Sequence, residues 1–382
     1  MSASATETTH TPRTRAGVRL RLVGLFHAPA PRRPSRAQRA RATLGWFVVG
    51  VLLLNAAALA ALDSPWPNLR DPEYGLRVTR LRARVAEHPD RTPVLVFGSS
   101  RVCMGVKPAA WEAARSGTSD DPLLFNFGTI GAGPVQELVA VRRVYADGFR
   151  PAVVLLEYWP PALRQDGRHS EQHRVGRRLR LDDRPVVHDY FPDPDRVERD
   201  MLAARLSPLT ANRDRWLVRA RPMWFPARQR ADNAWRDLDR WGWLPGLDVQ
   251  PDDAAARRRF LAHHREYYRD QFDGHAIHPN SDRALGEAVS LARAHGARVG
   301  LLFMPESSEF QGWYPPDVER AAREHFVALA RQLDVPAIDA RDWMSDDQLA
   351  DGFHLSRTGA GAFTARLGPA VGAAFPRNRE RP

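Results

Sequence analysis

Acyl transfer needs a hydroxyl, a base to take its proton and an acid to orient that base, and this chain offers a candidate for each. Ser100 follows the apolar run Val94-Leu95-Val96-Phe97 in the turn Gly98-Ser99-Ser100-Arg101. A serine is a poor nucleophile until an imidazole accepts its proton, and that imidazole must itself be held in one orientation. His354 is the candidate base, and Asp351, three residues earlier in Asp351-Gly352-Phe353-His354, can accept its ring N–H. The intermediate also needs N–H donors for its oxyanion. A second apolar run ends in Asn126-Phe127-Gly128-Thr129-Ile130-Gly131. The backbone N–H groups of Ser100 and Gly131 are the natural pair, since glycine lets an acyl carbonyl approach the backbone closely.

These residues meet only if the runs that carry them lie side by side. Five short runs rich in branched residues occur, at 93–97, 123–127, 152–156, 298–303 and 335–338. Their near-continuous apolar character suits strands buried on both faces of a parallel sheet. Helical patterns at 74–88, 136–147, 282–295, 317–333 and 358–374 separate or flank them, so the spacing predicts a doubly wound α/β domain. With strand order 2-1-3-4-5, the switch point lies beside the first strand, and Ser100 and Gly131 become neighbours there. The interval 158–280 is too long for a crossover and reads as a large, mainly helical insertion. It carries Arg174, Arg177, Arg178, Arg180 and Arg184, then Trp216, Trp224, Trp235, Trp241 and Trp243. The indoles are expected to build the insertion's own small core, with a sugar platform or a membrane-interface belt as alternatives. The arginines read as a solvated face or as a grip for an anionic substrate or lipid headgroups.

Three segments resemble a known family. Residues 94–101 (VLVFGSSR), 126–131 (NFGTIG) and 351–359 (DGFHLSRTG) resemble blocks I, II and V of the SGNH (GDSL-like) hydrolase superfamily. The resemblance implies a three-layer α/β/α, flavodoxin-like fold with a five-stranded parallel sheet. It also implies ester chemistry, with Ser100 as nucleophile, Gly131 as oxyanion donor, Asp351 as acid and His354 as base. The form bearing GSSR is similar to membrane-tethered SGNH-like proteins of bacterial envelopes, several of which add or remove O-acetyl groups on extracellular polysaccharides. Two positions depart from the pattern. Ser99 stands where an Asp is usual, and the segment Leu156-Glu157-Tyr158-Trp159-Pro160-Pro161 lacks the block III Asn that would be a third oxyanion donor. Losing one such donor costs on the order of 10²–10³ in rate. Arg101, Tyr158 and Trp159 are the candidates to replace it, and Glu306, after the fourth strand, is a candidate substrate contact or helix cap.

Charge and hydropathy organise the N-terminus. The chain of 382 residues has a net charge of +11, of which residues 1–41, with nine Arg and one Glu, hold +8. Residues 42–62 contain no charged side chain, and 21 residues of helix span about 31 Å, the thickness of a hydrocarbon core. The positive-inside rule then holds residues 1–41 in the cytoplasm as a basic tail and exports the remainder. Ala58-Leu59-Ala60 resembles a signal-peptide cleavage site, but the apolar stretch is longer than such peptides use. Residues 63–92 read as a Pro-broken linker followed by an amphipathic helix, and 93–382 as the SGNH-like domain. Topology accounts for the basic tail without nucleic acid.

Cys103, the sole cysteine, excludes an intrachain disulfide framework and multi-cysteine zinc sites, and one turn beyond Ser100 it reads as helix packing. Asp273, His275 and His278 lack a further ligand at convincing spacing, so no metal and no cofactor is expected. The combined expectation is a single-pass protein of the cytoplasmic membrane with an extracytoplasmic serine esterase or O-acyltransferase domain. Its partners would be the bilayer through 42–62, an acylated glycan or lipid substrate, and an integral membrane O-acyltransferase as acyl donor. The alternative is an inactive SGNH-like component that binds or assembles envelope polysaccharide.

Overall fold

The computed structural model describes residues 35–62, 70–114, 122–167, 169–224, 234–246, 254–272 and 276–376. The N-terminal helix α1, Arg36–Leu62, starts within the basic segment because Arg, Ala and Gln are good helix formers. From Ala42 onward it carries no charged side chain, and its large side chains, including Leu44, Trp46, Phe47, Leu52 and Leu53, are exposed. By length and composition it can cross a membrane.

Five parallel strands, β1 (Pro93–Gly98), β2 (Leu123–Gly128), β3 (Val153–Glu157), β4 (Arg298–Phe303) and β5 (Ala337–Asp339), form one sheet in the order β2-β1-β3-β4-β5. The strand alternation splits the apolar residues into two cores. Leu95, Phe97, Phe125, Phe127, Val154, Leu156 and Leu301 face helices α2 (Pro72–Glu87), α5 (Pro134–Ala146), Pro279–Ala294 and Pro316–Gln332. Val94, Val96, Leu124, Val153, Leu155 and Leu302 face the side of Trp111, on α4 (Pro108–Ala113), and of helix Arg357–Ala374. The fold is therefore a three-layer α/β/α sandwich of flavodoxin-like strand order. Several helices begin a residue or two before the apolar pattern does, because Pro at the first position is pre-set for a helix. In α2, Asp71 caps the start by accepting the Tyr74 N–H at 3.3 Å.

The insertion is mainly helical among the described residues, but it does not build a core of its own. Val186, Val187, Tyr190, Val197 and Met201 join the first-face core of the sheet. The tryptophans likewise correct the expectation of a separate cluster. Trp241 accepts the backbone N–H of Asn126, on edge strand β2, at 3.1 Å, and Leu244 N–H donates to Cys103 O at 3.1 Å. The Trp243 indole donates to Met104 O at 2.7 Å. This segment covers an edge that would otherwise offer unpaired backbone to other chains. Gly242, at φ +79°, sits so close that a Cβ would lie 2.2 Å from Asn126 O. Trp235 packs beside Cys103 and Leu238, whereas Trp224 is exposed.

Gly128 shows how tightly β2 meets the helix that follows β1. A Cβ there would lie 2.3 Å from the Cys103 backbone nitrogen, and neither backbone can yield cheaply. Gly128→Ala is expected to destabilise the domain by about 1–3 kcal/mol. Gly372→Ala, in a helix with nothing within 4 Å of its new methyl, should gain roughly 0.5–1 kcal/mol. Thermal unfolding of the two variants beside wild type checks both signs.

Candidate functional site

The carboxyl ends of β1 and β2 lie in register, Gly98 opposite Gly128, so the turns after them are adjacent. Thr129 N–H donates to Gly98 O at 2.7 Å and ties the two turns together. Ser99 ends the strand and caps helix α3 (Ser100–Gly105), its Oγ accepting the Arg101 N–H at 3.1 Å. Ser99 thus has a local capping role that serine fills well. Asn126 holds the other end of α3: its Nδ2 donates to the carbonyls of Val102 (2.8 Å) and Val106 (2.6 Å). Ser100 is left as the first residue of that helix, with its hydroxyl at the sheet's carboxyl end.

The loop after β5 brings the base and acid to it. Asp351 Oδ1 accepts the backbone N–H groups of Phe353 (3.3 Å) and His354 (2.8 Å), a turn completed by Gly352 at φ +95°. Asp351 Oδ2 lies 2.7 Å from His354 Nδ1, and His354 Nε2 lies 2.7 Å from Ser100 Oγ. The carboxylate selects the tautomer with the proton on Nδ1, which leaves the Nε2 lone pair to accept the serine proton. Burial alone would raise the Asp351 carboxyl, but the His354 imidazole and its N–H bond, with His264 Nε2 3.9 Å away, outweigh that and hold it below its ordinary value.

The oxyanion side is equally open. Gly131 adopts φ +72°, a conformation that favours glycine. Among the described residues, neither the Gly131 nor the Ser100 backbone N–H has an acceptor.

The other expected site residues lie beneath this surface, and their burial corrects the expectation of direct substrate contact. Arg101, with no exposed side-chain surface, donates to the carbonyls of Met304 (2.8 Å) and Pro305 (3.0 Å) and pairs with Glu157 (3.6 Å) and Glu306 (3.5 Å). Glu306 is held by Arg341 Nε at 2.7 Å and by the Tyr314 hydroxyl at 3.0 Å. The Tyr158 hydroxyl turns into the first-face helix layer, donating to Ala322 O at 3.0 Å. Trp159 stacks on Phe353 with centroids 5.7 Å apart, and its indole N–H is sealed in the interior with no acceptor among the described residues. Glu157 occupies the end of β3 and accepts the Ser99 N–H at 2.5 Å; burial raises its carboxyl despite the opposing Arg101 charge.

Sequence reasoning missed the insertion's share of the site. Helix Ala254–Phe272 lays Tyr268 edge-on against Phe353 (5.2 Å) and Trp159 (6.2 Å), and His264 beside Asp351. Glu171 accepts the N–H groups of Gly133 (3.0 Å), Val135 (2.9 Å) and Gln136 (2.9 Å), capping α5 just after Gly131. No local pattern marks a carboxylate that caps a helix 36 residues before it. Of the arginine cluster, Arg178 pairs with Asp71 (2.9 Å) and Glu73 (2.7 Å), and Arg184 pairs with Glu198, so these are structural ties and not a free grip. His278 caps helix Pro279–Ala294, while Asp273 and His275 lie outside the described residues. Cys103 is buried as helix packing, its thiol pushed up to about 12 chiefly by burial.

No protein-family model and no curated protein matches the chain. Among solved structures, TesA is similar at 13% identity, covering 74% of this chain and 100% of its own, with a TM-score of 0.36. A putative acylhydrolase from Bacteroides fragilis shares 11% identity, covering 78% of this chain and 97% of its own, at a TM-score of 0.35. An alpha/beta hydrolase from the metagenome of Lake Arreo, Spain, shares 12% identity, covering 74% and 96%, at 0.33. Likenesses of this degree carry no argument about chemistry, which rests on the site's own geometry.

A carboxyl held below its unfolded value, about 3.9, contributes stability that is complete above that pH and lost as pH falls through the folded value. Asp351→Asn should therefore lose less stability than wild type on acidification below about pH 4. Thermal unfolding between about pH 6 and pH 2.5 measures this, and parallel curves would overturn it.

Proposed function

We propose that this chain is an SGNH-type serine esterase or O-acyltransferase, tethered to the cytoplasmic membrane by α1 and acting outside it on acyl esters of envelope glycans or lipids. The observation that carries the reading is the unbroken hydrogen-bond chain from Ser100 through His354 to Asp351, with both links at 2.7 Å, beside two backbone N–H groups that have no acceptor among the described residues. Ser100 Oγ attacks the acyl carbon as its proton passes to His354 Nε2, and Asp351 stabilises the imidazolium. The oxyanion faces the N–H groups of Ser100 and Gly131. Collapse breaks the ester C–O bond; His354 returns the proton to the leaving alkoxide, and an acyl-serine remains. Water or a sugar hydroxyl then gives its proton to His354 and attacks the acyl carbon; the bond from that carbon to Ser100 Oγ breaks, and His354 returns the proton to Ser100.

Hydrolysis and transfer share these steps and differ only in which hydroxyl reaches the acyl-serine. The exposed Tyr267 and half-buried Tyr268, which meet edge to face at 5.1 Å with His169 beside them, support a sugar as substrate or acceptor. The basic tail and the apolar α1 support the tether and its orientation.

Full-length protein in detergent, treated with a fluorophosphonate, should form one adduct on Ser100 by intact mass. Ser100→Ala should abolish it and His354→Ala should slow it at least about 10³-fold. Absence of an adduct on folded wild-type protein would move the reading to a binding or assembly role. A C-terminal reporter active only outside the cytoplasm should be active; silence would overturn the orientation.

A further inference from the structure

On the reading of Ser100 as nucleophile, we propose that Arg174, from the insertion, supplies the third oxyanion-stabilising group in place of the absent Asn. The residues at the end of β3 are sealed: Arg101 and Tyr158 have no exposed side-chain surface, and the Trp159 N–H lies in the interior. A donor that a 1.4 Å water cannot touch does not reach a substrate oxygen without moving.

Arg174 has the opposite character. It is exposed, and among the described residues its guanidinium makes no hydrogen bond or ion pair. Its side chain lies directly over Gly131: a Cβ on that glycine would be 3.0 Å from Arg174 Nη1 and 3.3 Å from its Cδ. The residue whose free N–H faces the oxyanion thus carries a guanidinium against its own Cα. A charge-assisted hydrogen bond is stronger than a neutral one, so a guanidinium holds a developing oxyanion more strongly than a neutral amide does.

The placement is built from both sides. Glu171, 4% exposed, is bonded to three backbone N–H groups at the start of α5, which follows Gly131 closely. Its carbonyl accepts the Arg174 N–H at 2.9 Å, so the turn carrying Arg174 is pinned to the helix that carries the oxyanion loop. Gln136 Nε2, on the same helix, donates to Gly131 O at 3.3 Å. The Glu171 carboxylate is engaged by backbone N–H groups and, among the described residues, makes no ion pair with Arg174.

The test compares full-length wild type, Arg174→Ala and Arg174→Lys in detergent, using a fluorophosphonate, the neutral ester p-nitrophenyl acetate and the anionic ester mono-p-nitrophenyl succinate. Arg174 is exposed, so its removal leaves the fold intact, which circular dichroism checks. The proposal expects Arg174→Ala to label Ser100 to the same end point but about 10²-fold more slowly, with kcat lowered alike and KM little changed. Arg174→Lys should regain part of the rate, and added methylguanidine should restore part of it to Arg174→Ala. Unchanged labelling and kcat in Arg174→Ala would overturn the proposal while the serine reading stands. A change confined to KM for anionic esters would also overturn it, assigning Arg174 to substrate charge. No labelling of wild type would be failure of the underlying reading, a separate result.

Discussion

The site depends on one buried cation. The Arg101 guanidinium, adjacent in sequence to the proposed nucleophile, reaches the carbonyls of Met304 and Pro305 after β4 and Phe353 beside His354, and pairs with Glu157 at the end of β3 and Glu306 after β4. It therefore joins three strand ends and the histidine loop at the place where Ser100 and His354 must stay 2.7 Å apart. Burying a guanidinium and two carboxylates carries a large desolvation cost, repaid only where charges and carbonyls meet in good geometry. Such a cluster contributes position more than stability, and a proton-transfer chain requires position.

The carboxylates around it divide the work. Glu157 holds the Ser99 turn, Glu171 caps α5, and Glu137 accepts the Glu157 N–H at 3.1 Å. Burial raises all three, and Glu137 most clearly, because Glu157 and Glu171 face it. Asp351 is the exception: two imidazoles lie beside it and it stays below its ordinary value. Environment alone thus separates a charged orienting acid from carboxyls whose burial favours the proton.

The insertion completes the domain in two ways. Its segment around Trp241 and Trp243 covers the β2 edge, and its helices extend the first-face core, so it is part of the fold. Its Tyr268, His264 and Arg174 then reach the mouth of the site. The sheet thus positions the Ser–His–Asp chain, while the insertion shapes what surrounds it.

The parallel sheet, the helices between strands, the apolar N-terminal helix and the meeting of Ser100, Asp351 and His354 were all legible in the sequence. Each follows from a local cause: uniform apolar runs, helical spacing, and polar residues at strand ends, which in a doubly wound sheet share one edge. What surrounds the site was not legible. Trp159, read as a substitute donor, is sealed by Phe353, and Arg101 and Glu306 are consumed by each other. Arg174 looked like one cation among five, until the Glu171 cap set it over Gly131. Those outcomes rest on contacts between distant parts of the chain, where burial decides which polar group is spent inside and which is left facing a ligand. Spacing along the sequence carries no record of that choice, and only the packed structure makes it.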